Sequence, residues 1–284
     1  MRWEFKNEKT KEVFLLGNDR QMLTQSSAFR EDTINSIVFN FCEDQEAIID
    51  EVRYVFPKNT VLPLMANQYF RFKQPSELIA WQFNREFYCI VDHDAEVGCV
   101  GFLFYGITNP MFVKLSENDI ADVKLIESFC QKDMSVRDRM QSEMLRTLLK
   151  RIIISTTRLA RKQTAYSALI SDDRLDLLRK FNLLVESNFK MEHEVKFYAG
   201  QLNKSPKTLS NVFALLRFPP PSTIIQNRII LEAKRLLNYT DKSAKEMAYL
   251  LGFVSPAHFS RFFRQHTGVS ISSFREDMLI SNKK

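Results

Sequence analysis

Residues 248–263 read AYLLGFVSPAHFSRFF, and residues 199–213 read AGQLNKSPKTLSNVF. The small residues Ala199 and Ala248 are 49 positions apart. The pairs Ser205/Ser255, Pro206/Pro256, Leu209/Phe259, Ser210/Ser260 and Phe213/Phe263 are each 50 apart. One supersecondary unit therefore occurs twice, with a turn one residue longer in the second copy. Each copy reads as a helix, a sharp turn and a second helix. Ser243 and Glu246 have capping-box spacing before the first helix of the second copy. Ala248 is small where two helices cross closely, and Gly252 gives the turn its backbone freedom. Ser255 caps the next helix, and Pro256 suits a first turn where no amide hydrogen is needed.

Helical spacing turns Phe259, Phe262 and Phe263 inward and leaves Ala257, His258, Ser260, Arg261 and Arg264 outside. In the first copy Leu209, Val212, Phe213 and Leu216 face in, while Lys207, Thr208, Ser210 and Asn211 face out. Such a helix can lie in a DNA major groove with its first turns against base edges. A single capped helix pair is more often plain packing than DNA recognition; two copies at constant offset in the basic part of the chain reverse that and favour nucleic acid. Residues 190–284 hold 15 Lys and Arg against 7 Asp and Glu, a surplus of 8, whereas the rest of the chain is slightly acidic. A basic domain beside a near-neutral one points to a polyanionic partner.

The segment from Met247 and Ala248 through Gly252, Phe253, Phe259, Ser260, Arg261, Phe263, Arg264 and Gly268 to Phe274 and Arg275 resembles the signature of AraC/XylS-type bacterial transcription regulators. The resemblance covers about 90 residues, counted on the sequence. It implies two helix-turn-helix units reading adjacent major-groove segments of double-stranded DNA, and activation through RNA polymerase. It also implies base contacts from Lys207, Ser210 and Asn211 in the first unit and from Pro256, Ala257, His258 and Arg261 in the second. Asn211 stands where an arginine is more usual, Phe218 where a glycine commonly ends the first recognition helix, and Ile271 where a proline is common. The full expected DNA-contacting set, counting both readings, is Lys207, Thr208, Ser210, Asn211, Ser255, Pro256, Ala257, His258, Ser260, Arg261 and Arg264.

Upstream, short runs rich in Ile, Val, Phe and Tyr read as strands: Glu12–Leu16, Ser36–Cys42, Ala47–Phe56, Gln68–Phe72, Leu78–Phe83, Glu86–Val91 and Cys99–Tyr105. They suggest a small barrel or sandwich. Helical periodicity follows over 117–133 and 136–162, where Met140, Met144, Leu145, Leu148, Leu149, Ile152 and Ile153 form an apolar stripe. Two such helices after a barrel suggest a homodimer through 117–162. The plan is similar to the cupin-like sensory domains of some AraC-type regulators. Trp81, Phe83, Tyr88 and Phe102 are candidate linings for a small-ligand cavity there, or ordinary core.

The expected organisation is a β-barrel, cupin-like domain with dimerisation helices at 1–165, a linker and connecting helix at 166–185, and an all-α DNA-binding domain at 186–284. The last comprises helix-turn-helix 1 (194–216), a linker helix capped by Ser222 (222–237) and helix-turn-helix 2 (243–266). The 284 residues suffice for two cores. The four cysteines (Cys42, Cys89, Cys99, Cys130) show no zinc spacing and read as reduced thiols of a cytoplasmic protein. No stretch is apolar enough to span a membrane, and the charged start does not read as a signal peptide. One histidine in the first half, His93, excludes a clustered cupin metal site, and no nucleotide loop or GxSxG elbow occurs. No cofactor and no enzyme activity are expected. The alternatives are a ligand-independent regulator, a protein-interaction adaptor with a degenerate first unit, and a barrel enzyme carrying a regulatory domain. Target promoters and any effector are left open.

Overall fold

The computed structural model describes residues 1–25, 34–50, 52–66, 68–90, 103–104, 110–163, 172–216 and 218–275. The chain divides into two units, Met1–Leu169 and Ile170–Lys284.

Among the described residues, ten strands belong to the first unit: β1 (Arg2–Asn7), β2 (Glu12–Gly17), β3 (Thr24–Gln25), β4 (Ile34–Asn40), β5 (Gln45–Ile49), β6 (Val52–Phe56), β7 (Thr60–Leu64), β8 (Phe70–Phe72), β9 (Leu78–Asn84) and β10 (Val113–Lys114). They pair antiparallel in two sheets, ordered β1-β2-β9-β4-β7-β10 and β3-β8-β5-β6. Period-two alternation gives the six-stranded sheet two buried faces. Val13, Leu15, Ile34, Val38, Leu62 and Ala80 share one core with Ile49, Phe56 and Phe70 of the small sheet. Phe14, Leu16, Ile37, Phe39, Trp81 and Phe83 face the other way, into a core completed by two helices. Those helices are α1 (Glu117–Ser135) and α2 (Gln141–Gln163).

Several strand limits differ from the sequence expectation. The run 47–56 is a hairpin, broken where Asp50 takes a left-handed φ of 49°. β7 went unread because Pro63 argues against a strand; it nevertheless pairs opposite Ile37 in β4. β1 is half-buried at alternate positions only, so charge masked its pattern. Residues 85–90 form no strand: Asn84 turns the chain, its Oδ1 accepting from Phe87 N at 3.0 Å and its carbonyl from Tyr88 N at 3.1 Å. Of the strand expected at 99–105, only Leu103 and Phe104 are described, and they are helical.

The two helices were legible. Ser116 and Asp119 form a capping box on α1, with Asp119 N donating to Ser116 Oγ at 3.3 Å and Ser116 N to Asp119 Oδ2 at 2.8 Å. α2 begins at Gln141 rather than 136, because Val136 ends α1 in an extended conformation. The apolar stripe divides: Leu145, Leu149, Ile152 and Ile153 are buried on the sheet, while Met140 and Met144 are exposed, as are Leu125 and Phe129 of α1.

The second unit is helical: α3 (Asp172–Asn188), α4 (Val195–Gln201), α5 (Pro206–Leu215), α6 (Pro221–Tyr239), α7 (Ala244–Leu250), α8 (Pro256–Thr267), and a last turn at 271–275. α3 was expected as a connector over 166–185. Instead Leu178, Phe181, Val185 and the following Phe189 enter the same core as Tyr198, Phe213, Phe259 and Phe263. The Phe181 ring meets Phe213 edge-on at 5.0 Å. α6 starts at Pro221 with no side-chain cap, so Ser222 is its second residue and not its cap. Pro221 needs no cap partner, since its nitrogen has no hydrogen and its φ is already helical.

Candidate nucleic-acid interface

The two repeats have matching backbones. Lys204 N donates to Ala199 O at 2.9 Å, and Phe253 N donates to Ala248 O at 2.9 Å. These pairs keep the 49-residue offset of the repeat. Ala199 and Ala248 are fully buried at the crossings. Each turn contains one left-handed residue, Asn203 (φ 53°) and Gly252 (φ 74°). Asn is the non-glycine residue that tolerates this region best, so the first turn forms without a glycine. At Gly252 the need is twofold, because a Cβ would also overlap the carbonyl oxygen of Lys190.

Both second helices are capped as expected. Thr208 N donates to Ser205 Oγ at 3.0 Å, and His258 N to Ser255 Oγ at 3.2 Å. Before α7, Glu246 N donates to Ser243 Oγ at 3.2 Å and Ser243 N to Glu246 Oε2 at 2.8 Å. The hydrogen bond from the Ser243 hydroxyl lowers the Glu246 carboxyl below its ordinary range.

Leu209, Phe213, Phe259 and Phe263 are fully buried, so the inward faces are those the periodicity indicated. Phe262 is half-buried. Lys207, Thr208, Ser210 and Asn211 are exposed on α5, and Ala257, His258, Ser260, Arg261 and Arg264 on α8. Ser255 and Pro256 are partly covered. Two of these side chains are already engaged: the Thr208 and Ser205 hydroxyls lie 2.9 Å apart, and Ser255 serves as the cap. The His258 ring stands edge-on to Phe253 at 5.3 Å, which fixes its base while leaving it exposed. Arg261 Nε reaches the Ala257 carbonyl at 3.4 Å. Among the described residues, Lys207 and Arg264 have no ion-pair partner.

Sequence reasoning missed what joins the two repeats. The Arg228 side chain of α6 is largely buried; its Nε donates to Glu186 of α3 at 2.6 Å and Nη1 to Glu232 at 3.4 Å. Its guanidinium also lies 3.8 Å from the centre of the Phe189 ring. Glu232 further accepts from Arg235 Nη2 at 2.6 Å and lies 3.9 Å from Lys190 Nζ. Burial alone would raise the Glu232 carboxyl, but the Arg235 hydrogen bond and the charges of Arg228, Arg235 and Lys190 outweigh it and hold it low. The Lys190–His193 segment then reaches the second turn, with the His193 ring 4.8 Å from that of Phe253. The i, i+4 spacing of Arg228 and Glu232 is visible in the sequence, but their burial is not. Phe218, at the position of a usual glycine, ends the first unit by donating its amide to Phe213 O at 2.9 Å and packs against the shared core, as does Ile271.

Residues 198–277 match a protein family described as "Helix-turn-helix domain". The match spans both repeats. Over 92 residues the chain is 29% identical to the HTH-type transcriptional regulator GbdR of Pseudomonas aeruginosa. The GbdR alignment covers 32% of this chain, and the chain spans about a quarter (25%) of the length of the curated relatives it matches. Fatty-acid-bound ToxT from Vibrio cholerae strain SCE256 aligns over 96% of this chain and 93% of its own, at 18% identity and a TM-score of 0.42. A regulator from Chromobacterium violaceum, described as AraC-type, aligns over 38% and 96%, at 23% identity and a TM-score of 0.34. Both repeats thus lie in the region that matches a helix-turn-helix domain, with α5 and α8 as the second helix of each.

Trp81 and Phe83 are fully buried on the helical side of the large sheet, turned away from the space between the sheets. Phe14 lies 5.8 Å from Trp81, and Tyr88 stands edge-on to Phe83 at 6.0 Å. Tyr88 borders a cavity of about 350 Å³, beside Arg85, Glu143, Arg146 and Lys150. Phe102 lies outside the described residues, as does His93. Among the described residues no group of three or more His, Cys, Asp or Glu could hold a metal ion, and no helix is long and apolar enough to cross a membrane.

Proposed function

We propose that the chain is a sequence-specific transcription regulator, acting as an activator in the cytoplasm, that reads two adjacent major-groove segments with α5 and α8. The observation that carries this reading is the matched pair of turns, closed by the same hydrogen bond, capped by Ser205 and Ser255, and built on one core. At ~1.5 Å per residue, the 19 residues of α6 make a strut of roughly 28 Å between the units, comparable with one DNA turn of ~34 Å. Lys207 and Arg264 are suited to phosphate, and Arg261 and His258 to base edges. RNA polymerase is the partner that the AraC resemblance implies. The 1–165 region serves as the dimerisation domain, through the exposed Leu125, Phe129, Met140 and Met144 of 117–162, and its paired sheets are read as a cupin-like barrel.

A regulator that needs no small ligand is the second reading. The burial of Trp81 and Phe83 in an apolar cluster favours it. The adaptor reading is weakened because the first unit keeps its cap and its turn. An enzyme is not proposed. Selection of bound fragments from genomic DNA, followed by gel shifts at several salt concentrations, tests the assignment. Specific binding whose affinity falls steeply with salt is expected; absence of any salt-sensitive binding would leave the adaptor.

A further inference from the structure

Val254 is the residue by which the second turn exceeds the first. Ser205 directly follows Lys204, whose amide closes the first turn, whereas Val254 separates Phe253 from Ser255. Val254 is 90% exposed, more than any other large apolar residue among those described. A hydrophobic residue just before a helix cap ordinarily staples onto the fourth helical residue, here Phe259. Phe253 already fills that place, with ring centres 5.2 Å from Phe259 and 5.1 Å from Phe262. Val254 therefore contributes nothing to packing in its own unit.

Its neighbours extend the same character. Pro256 carries no amide hydrogen, Ala257 exposes only a methyl group, and the Ser255 hydroxyl is held by the cap. The leading edge of α8 thus offers carbon, and exposed hydrogen-bonding side chains begin only at His258, followed by Ser260 and Arg261. The first unit differs, with Lys207, Ser210 and Asn211 near its helix start. A recognition helix enters the major groove by its first turns. The apolar mark displayed there is the C5-methyl group of thymine.

We infer that Val254, together with Ala257, reads thymine methyl groups in the part of the DNA site covered by the second unit. The inference rests on the DNA-binding reading above and adds to it a specificity-determining residue and the chemical group it selects.

The test uses the full chain and short synthetic duplexes carrying the selected site, in which single thymidines are replaced by deoxyuridine. The exchange removes one methyl group and alters no hydrogen bond. Each contacted methyl is expected to be worth about fourfold in affinity. In Val254→Ala, whose fold is checked by thermal melting, the penalty at one of these positions should largely vanish while penalties elsewhere persist. Uniform tolerance of uracil, an undiminished penalty in the variant, or a selected site without thymine beneath the second unit would each overturn the inference. In those cases salt-sensitive binding itself would stand. Loss of all specific binding to unsubstituted DNA by the wild-type chain would instead overturn the DNA-binding reading and this one with it.

Discussion

The carbonyl oxygen of Lys190 occupies the space that a Cβ on Gly252 would need. The second turn therefore rests on the segment leading into the first helix-turn-helix repeat, and both repeats share one core. Gly252 must also keep a left-handed φ of 74°. Gly252→Ala should destabilise the carboxyl-terminal unit by about 2–4 kcal/mol, from strain and overlap together. Gly200→Ala is the control, since a Cβ there meets nothing within 4 Å in a helix; it should be neutral or stabilise by about 0.5–1 kcal/mol. Denaturant melts of the two variants check the contrast.

Glu232 links Arg228, Arg235 and, more distantly, Lys190 in a buried cluster. Its carboxyl is held below the ordinary value of 4.5. The stability it supplies is then complete above about pH 4.5 and lost as pH falls through the lowered value. Glu232→Gln should flatten this acid limb and cost about 3 kcal/mol at neutral pH, because Arg228 stays buried with a weakened partner set. Thermal melts from pH 7 to pH 3 would show it.

His193 lies against Phe253, and burial lowers its pKa from 6.5, with the nearby His258 adding to the effect. The folded state then binds its proton less readily than the unfolded chain. Its contribution is complete above pH 6.5 and falls away below it. A melting temperature that declines from pH 7 toward pH 5, and declines less in His193→Phe, is the expected result.

Arg261 and Arg264 should separate in their effects on DNA. Arg261→Ala is expected to weaken specific binding by about 1–3 kcal/mol and relax base preference at one position. Arg264→Ala should weaken binding to all sequences alike and reduce the salt slope by about 1. Gel shifts on specific and scrambled duplexes at several salt concentrations distinguish them.

Phe129 and Met140 are exposed on the helical side of the first unit. If they form the dimer seam, Phe129→Glu should yield a folded monomer, because no buried contact is lost. Sedimentation equilibrium compared with the wild-type chain tests this, and a wild-type monomer at micromolar concentration would remove the seam.

The carboxyl-terminal repeat was legible because each of its features is local. Serine caps, turn residues and the three- and four-residue spacing of Leu209, Phe213, Phe259 and Phe263 act within a few positions of the chain. The capped helix of 117–135 was legible for the same reason. The strands were read less well. β7 hides behind Pro63, and the reversal at Asp50 carries no glycine to mark it. Which face of β9 receives Trp81 depends on pairing with β2 and β4, far away in sequence.

By itself, then, the order of residues determined the two helix-turn-helix units, their caps, and the exposed faces of α5 and α8. Only the tertiary structure decided that α3 belongs to the carboxyl-terminal core, that Arg228 and Glu232 are buried, that Trp81 and Phe83 are packed away from the space between the sheets, and that Val254 is left uncovered. The physical reason is that capping and helical periodicity are short-range, whereas burial depends on neighbours brought together by distant parts of the chain.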